Sequence, residues 1–338
     1  MQDAKTIYNI FKNNSFKIEL LEKKQETNFY KNYNIKISNL KNINKIKSCI
    51  ILLESILNTK IIYHFENDIL LLQIEKKESQ FYNIADFTNA IQQAQQQPSS
   101  DCKVFLGFDK SSGAPVFEAM DNIKSLLIGG ASGFGKSSFL HNIILSYLLL
   151  NKQSYLFLID PKKTELNFYN KRILKNRLII ETGYNYNDFI KILKSYYNLI
   201  ESRFKIMNKK QQRKSDAAPV LLVVDEFSIL YTNNKEKNEI LKYINKIAAV
   251  GRAARCYMIL TTQHATNANI NNTIRSNLQS RAAFKCENIQ QSRNLIESRD
   301  AVKLKKPGEA IIKIDGKQQT EIKTAFLSES DIIEILES

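Results

Sequence analysis

The stretch Gly129-Gly130-Ala131-Ser132-Gly133-Phe134-Gly135-Lys136-Ser137-Ser138 decides how this chain is read. It follows a short apolar run, Ser125–Ile128, and leads into Lys136–Leu150, which holds neither glycine nor proline. Strand, loop and helix are therefore expected in that order. The spacing of Gly130, Gly135, Lys136 and Ser137 fits G-x-x-x-x-G-K-S/T, the pattern of a phosphate-binding loop. The chain has only 10 glycines and four of them fall within 129–135, so the cluster is not a by-product of composition. Glycine admits the left-handed backbone that turns successive N–H groups inward as an anion nest, and the following helix aims its positive end at the same place. Gly130, Ala131, Ser132, Gly133, Phe134, Gly135, Lys136, Ser137 and Ser138 are the expected nucleotide-binding residues. Lys136 is expected to reach the β and γ phosphates of ATP, and the Ser137 hydroxyl to ligate Mg2+.

Further apolar strands read at Ser154–Ile159, Leu178–Ile180, Val220–Val224, Tyr257–Thr261 and Arg281–Phe284, with helices at Tyr186–Met207 and Lys235–Val250 between them. Continuous apolar strands alternating with helices predict an α/β fold, a mostly parallel sheet covered on both faces. Ligands of such sheets lie at the carboxyl ends of the strands. Two more motifs fall there. Leu221-Leu222-Val223-Val224-Asp225-Glu226 puts two carboxylates at a strand tip, with Asp225 expected to hold magnesium and Glu226 to act as general base. Thr261-Thr262-Gln263 ends another strand, where Gln263 can sense the γ phosphate or orient water, or be an ordinary turn residue. Arg252, in Gly251-Arg252-Ala253-Ala254-Arg255, can neutralise phosphoryl charge in cis or across a subunit interface, or simply be a solvated cation at a helix end.

Ahead of this pattern, Asn34–Leu40, Ile43–Leu57, Lys60–Phe65 and Ile69–Ile74 read as strand, helix and a hairpin of strands, a small α+β domain over 31–91. Residues 1–30 are weakly patterned. Gln92–Ser100 reads as a linker or helix tail before the domain of 101–338.

Formal net charge is +15, of which +12 falls after residue 100. That excess favours a polyanionic partner, although a lysine- and asparagine-rich composition produces the same balance. Lys209, Lys210, Arg213 and Lys214, in a basic loop, and Arg275 are the candidate phosphate contacts. The four cysteines are scattered and form no C-x-x-C pair, which argues against a disulfide framework or a zinc site. The apolar runs are too short to cross a bilayer and the N-terminus lacks the order of a signal peptide, so a cytoplasmic protein is expected.

With the two nucleotide motifs stand several others: Asp160-Pro161-Lys162 with Glu165-Leu166 and Tyr169, Glu201-Ser202-Arg203-Phe204, Arg252-Ala253-Ala254 leading to Thr261-Thr262-Gln263, Asn277–Phe284, and Ser292-Arg293. In this order they resemble the FtsK/SpoIIIE DNA translocases of the HerA–FtsK superfamily, over residues 30–338. The resemblance implies a RecA-like P-loop NTPase domain preceded by a small domain. It further implies a homo-oligomeric, hexameric ring that hydrolyses ATP at subunit interfaces to move double-stranded DNA, with Arg252 as a finger in trans and Gln263 as sensor. In the family the loop after the sensor faces the pore, which makes Arg275 the preferred DNA contact. Arg255 stands where a glycine is usual, and His264-Ala265 replaces the usual R-P. Neither membrane segments nor a winged-helix domain is expected beside the motor, and a membrane or relaxase partner is compatible with it. Two other readings stay open: an ATPase energising protein secretion, and a protein that binds ATP without turnover.

Overall fold

A computed structural model describes residues 2–21, 30–38, 43–57, 59, 61–66, 69–75, 81–97, 101–151, 153–166, 169, 178–266 and 272–337. The chain divides into two compact units, Met1–Phe81 with Lys110–Ala114, and Tyr82–Asp109 with Pro115–Ser338.

The small unit consists of α1 (Gln2–Asn13), β1 (Ile18–Leu21), β2 (Tyr30–Ile37), α2 (Ile43–Leu57), β3 (Ile61–Glu66) and β4 (Ile69–Glu75). Its strands form an antiparallel sheet in the order β1-β2-β4-β3. Alternation puts Tyr33, Ile35 and Ile37 of β2 and Leu70, Leu72 and Ile74 of β4 on one face, where Ile7, Ile10 and Phe11 of α1 and Ile46, Ile50 and Leu53 of α2 complete the core. The weakly patterned N-terminal segment expected from sequence is thus a helix and a strand of this unit. Ile7, Ile10 and Phe11 carry the i, i+3, i+4 spacing that buries one face of a short helix.

The larger unit opens with α3 (Ile84–Gln95). Here the structure departs from the expected domain end at 91 and linker at 92–100. Asn83 caps the helix and Asp86 closes a capping box, while Phe87, Ala90 and Ile91 are buried, so the glutamine run is the last exposed turn of an amphipathic helix. Residues 98–100 of the expected linker lie outside the described residues. There follow β5 (Lys103–Asp109), β6 (Pro115–Ala119), α4 (Met120–Ile123), β7 (Ser125–Gly129), α5 (Lys136–Leu150), β8 (Tyr155–Ile159), β9 (Leu178–Gly183), α6 (Tyr186–Lys210), β10 (Val220–Val224), α7 (Asn234–Val250), β11 (Cys256–Thr262), α8 (Asn272–Asn277), β12 (Ser280–Ala283), α9 (Ile289–Ile296), β13 (Glu309–Lys313), β14 (Thr320–Lys323) and α10 (Glu329–Glu337).

Ten described strands form one sheet in the order β6-β5-β14-β13-β12-β7-β11-β10-β8-β9. From β12 to β9 neighbouring strands run parallel, and β13, β14, β5 and β6 extend the sheet antiparallel. The parallel half is the one expected from the apolar runs. Every residue of β7, β10 and β11 is buried, as a sheet covered on both faces demands. Leu222, Val224, Met258 and Leu260 enter a core with Phe189, Leu193 and Tyr196 of α6 and Ile240 and Ile244 of α7. The alternate residues Leu221, Val223 and Ile259 point the other way and are fully buried too, on the side of α5, whose residues Phe139 to Leu148 are all buried.

One long-range clamp fixes the end of the sheet at which β10 and β11 begin. Arg203 of α6 is 7% exposed. Its Nη1 donates to the carbonyls of Ala254 (2.7 Å) and Arg255 (3.4 Å), and Nη2 to that of Ala218 (2.8 Å). It thereby ties the 251–255 turn to the segment entering β10. The turn needs that tie. Gly251 has no room for a Cβ, which would lie 2.3 Å from the Cys256 carbonyl oxygen. Arg255 adopts φ 53°, the left-handed region that favours the glycine found there in the resembling family. Arg203→Met is expected to lower stability by about 2–4 kcal/mol, because buried carbonyls lose their charged donor. Urea denaturation reads this as a lower midpoint at unchanged slope.

Candidate functional site

Strand register brings the motifs together. Val224 pairs with both Ile159 and Leu260, and Gly129 with both Thr262 and Ala283. The residues that follow these positions, Gly130, Asp160, Asp225, Glu226, Gln263 and Phe284, therefore emerge along one carboxyl edge of the sheet.

The glycine-rich loop has the backbone that its composition predicts. Gly130, Gly133 and Gly135 take φ 141°, 77° and 100°, and Gly135 caps α5 in the left-handed region. Gly133 has open space around it, whereas Gly130 and Gly135 do not. A Cβ on Gly130 would lie 2.7 Å from Cβ of Phe284, and one on Gly135 would lie 2.9 Å from the Gly308 nitrogen. The loop is walled by two distant segments: Gly308 N–H donates to the Phe134 carbonyl (3.0 Å) and Ala131 N–H to the Lys285 carbonyl (2.7 Å). The Ala131 N–H is thus engaged by the chain itself in this structure. Lys136 Nζ donates to the carbonyls of Gly130 (2.8 Å) and Ala131 (2.9 Å), folding over its own loop. Burial draws its pKa below the usual lysine value, against the pull of Glu226 and Asp225.

Asp225 and Glu226 are held by the neighbouring strand. Thr261 Oγ1 donates to Asp225 Oδ1 (2.6 Å) and accepts from the Glu226 N–H (2.8 Å). Burial raises the Asp225 pKa above the ordinary carboxylate range, and the Thr261 bond opposes it. Glu226 is 3% exposed and adopts φ 43°. Its Oε1 accepts from Ser228 Oγ (2.6 Å) and Thr262 Oγ1 (3.3 Å), and its Oε2 from the Gln263 N–H (2.9 Å). Gln263 thus meets Glu226 through its backbone. Lys162 Nζ stands 3.9 Å from Oε2.

Glu165, to which sequence gave no role, also reaches this edge. Its Oε2 lies 3.7 Å from His141 Nε2, and His141 Nδ1 is 2.8 Å from the Tyr169 hydroxyl. His141, first, and then the Ser137 hydroxyl hold the Glu165 carboxyl below its usual range, although burial pushes upward. The signal for these residues lay in the Asp160 segment, but pairing across separate elements is not written in spacing.

Other expected residues lie elsewhere. Arg252 is exposed and precedes β11, at the opposite edge of the sheet. The length of β11 puts it roughly 20 Å from the phosphate loop. Lys209, Lys210, Arg213 and Lys214 are exposed at and beyond the C-terminal end of α6, before β10 begins and so toward that same opposite edge. Two of them are committed within the chain: Lys210 pairs with Asp216 (2.8 Å) and Lys214 with Asp121. Burial would raise the Asp121 pKa, but bonds from Lys214 and Tyr257 and the charge of Arg252 bring it below its usual range. Arg275 is half-buried in α8 and donates to Asn294 Oδ1 (3.0 Å). Residues 267–271 of the expected pore-facing segment lie outside the described residues. Among the described residues no helix is long and apolar enough to cross a membrane, and no group of three His, Cys, Asp or Glu side chains could hold a metal by itself.

Comparison with known proteins bears on the family and the fold. Residues 88–218 match the FtsK/SpoIIIE family model. DNA translocase FtsK of Halalkalibacterium halodurans is 30% identical over 258 residues, 69% of this chain and 32% of that protein. DNA translocase FtsK of Staphylococcus aureus is 29% identical over 260 residues, 70% and 32% of the two chains. The chain spans about a third of the length of these curated relatives. Among solved structures, the pCW3 conjugation coupling protein TcpA aligns with a TM-score of 0.67 at 14% identity, covering 100% of this chain and 99% of that one. The cytoplasmic domain of the type VII secretion ATPase EccC from Thermomonospora curvata aligns at 0.62 and 16% identity, covering 77% and 34%. At such identities these two likenesses concern the fold. The chain belongs to the FtsK/SpoIIIE family and has its RecA-like P-loop fold.

Proposed function

We propose that the larger unit binds and hydrolyses Mg2+-ATP, and that several copies assemble into a ring, most simply a hexamer, that moves double-stranded DNA. The observation that carries the reading is the common edge shared by the glycine loop, Asp225 and Glu226. The donor set fits magnesium. Ser137 and Asp225 are hard oxygen donors, the kind that magnesium takes alongside phosphate and water. When bound, magnesium supplies charge neutralisation on the phosphates. The chain supplies the rest. The glycine loop and Lys136 bind and orient the phosphates, Ser137 and Asp225 hold the ion, and Glu226 positions water and accepts its proton.

Arg252 belongs to this scheme only across a subunit interface, because its own nucleotide lies at the far edge of the sheet. Duplex DNA as substrate rests on the family and on the +12 charge excess after residue 100. Lys209, Arg213 and Arg275 remain the proposed phosphate contacts, with Lys210 and Lys214 weakened as candidates by their internal ion pairs.

Glu226→Gln is expected to keep nucleotide affinity within about threefold and to lower kcat by about 100-fold or more, whereas Lys136→Ala loses nucleotide binding. Equilibrium binding beside steady-state hydrolysis separates the two effects. Duplex DNA is expected to stimulate hydrolysis at low salt and to lose that effect as salt rises. Stimulation by a polypeptide and not by DNA would transfer the reading to protein export. For Arg252, the test is complementation. Arg252→Ala and Lys136→Ala proteins, each inactive alone, are expected to recover up to roughly a quarter of wild-type activity when mixed, since one interface in four then combines an intact lysine with an intact arginine. No recovery among confirmed mixed oligomers excludes the trans role.

A further inference from the structure

The loop from Asp160 to Leu166 has no part in the scheme above, yet its hydrogen bonding is that of a built device. Asp160 follows β8 at the carboxyl edge and is 2% exposed. Its Oδ1 accepts from the N–H groups of Lys162 (3.1 Å) and Lys163 (2.9 Å), and its Oδ2 from those of Glu165 (3.0 Å) and Leu166 (2.9 Å). Four backbone donors on one carboxylate fix the loop tightly enough to hold Lys163 at φ 58°, a conformation that costs a non-glycine residue energy. Leu166, 2% exposed, anchors the far end.

A loop so fixed aims its side chains. Lys162 leans toward Glu226 with its Nζ 3.9 Å from Oε2. That separation is too long for a hydrogen bond, so the pair is loose. The two partners differ in freedom: the Lys162 side chain is 36% exposed and Glu226 is 3% exposed. Glu226 is also pinned by Ser228, Thr262 and the Gln263 N–H, none of which is a long side chain. Lys162 is thus a half-exposed cation beside a buried acid that three other donors hold. Glu226 in turn acts electrostatically on Lys136 of the glycine loop, so the acid stands between the two lysines' charges.

We propose that Lys162 is a γ-phosphate sensor, paired with Glu226 when that phosphate is missing and drawn to it when ATP is bound, which frees a Glu226 oxygen to orient water. A γ-phosphate competes well for this ammonium, because it offers more negative charge than one carboxylate and several acceptor oxygens. Lys162 would then link the arrival of ATP to the readiness of the base, as a residue that touches both. The inference rests on the nucleotide site proposed above and adds discrimination between ATP and ADP to it.

The test is the affinity of fluorescent ADP and of a fluorescent non-hydrolysable ATP analogue, both with Mg2+, for the wild-type protein, Lys162→Gln and Lys136→Ala. Lys162→Gln is expected to bind ADP within about twofold of wild type and the ATP analogue about tenfold more weakly, the loss of one charge-assisted contact. Retained ADP binding itself shows that the variant is folded. Equal weakening of both nucleotides, or no weakening of either, overturns the sensor. If Lys136→Ala meanwhile loses both nucleotides, the site reading stands without it. Failure of the wild-type protein to bind either nucleotide removes the site reading, and the sensor with it.

Discussion

Two carboxylates at the tip of one buried strand repel each other, and burial makes each charge more costly still. Thr261 eases that conflict at Asp225 without removing it. Its single hydroxyl donates to Asp225 and accepts from the backbone of Glu226, so it holds the first acid in place while turning the chain at the second. The turn then carries Glu226 into the left-handed region and delivers its carboxylate to Ser228, Thr262 and the Gln263 N–H. None of this works unless β10 and β11 lie side by side in register, with Val224 opposite Leu260. The parallel pairing of two apolar strands is therefore a condition of the acidic pair's geometry as well as of the core.

The sheet separates two sets of charges by its own thickness along the strands. At the carboxyl edge stand the glycine loop, the two acids, Lys162 and Glu165. At the other stand Arg252, Arg255 and the basic residues after α6, braced by Arg203. A single copy cannot bring Arg252 to its own phosphates without unravelling β11, whose seven residues are all buried. Repetition of the chain around a ring removes the difficulty, since the far edge of one copy can face the near edge of the next. Under the proposed ring, a site incomplete in one chain would be completed between two, and hydrolysis would depend on assembly.

The parts written into the sequence were those that depend on near neighbours. The phosphate loop, the six parallel strands and the acidic pair each declare themselves within ten residues, through glycine spacing or an apolar run that ends in charge. The helix at Gln2–Asn13 declared itself only through Ile7, Ile10 and Phe11, too few apolar residues to stand out from the lysines and asparagines around them. β13 and β14 were illegible for a different reason. They are short and antiparallel, and the segment ahead of β13 brings Gly308 against Phe134 and Gly135, a contact between segments more than a hundred residues apart. The bond from the Gln263 N–H to Glu226 was illegible for a third reason: it is made by the backbone, which no residue type announces.

Arg255 turns these observations on one position. Glycine would enter φ 53° at little cost, and an arginine there carries a strain of about 1 kcal/mol or more. What the position contributes to the brace is its backbone. Its carbonyl accepts both Arg203 Nη1 and the Val220 N–H, so the strained residue is tied to α6 and to the start of β10 at once. A backbone held from two sides can keep a conformation that its own side chain disfavours. Arg203, at the centre of that brace, thereby sets the geometry of the turn that displays Arg252.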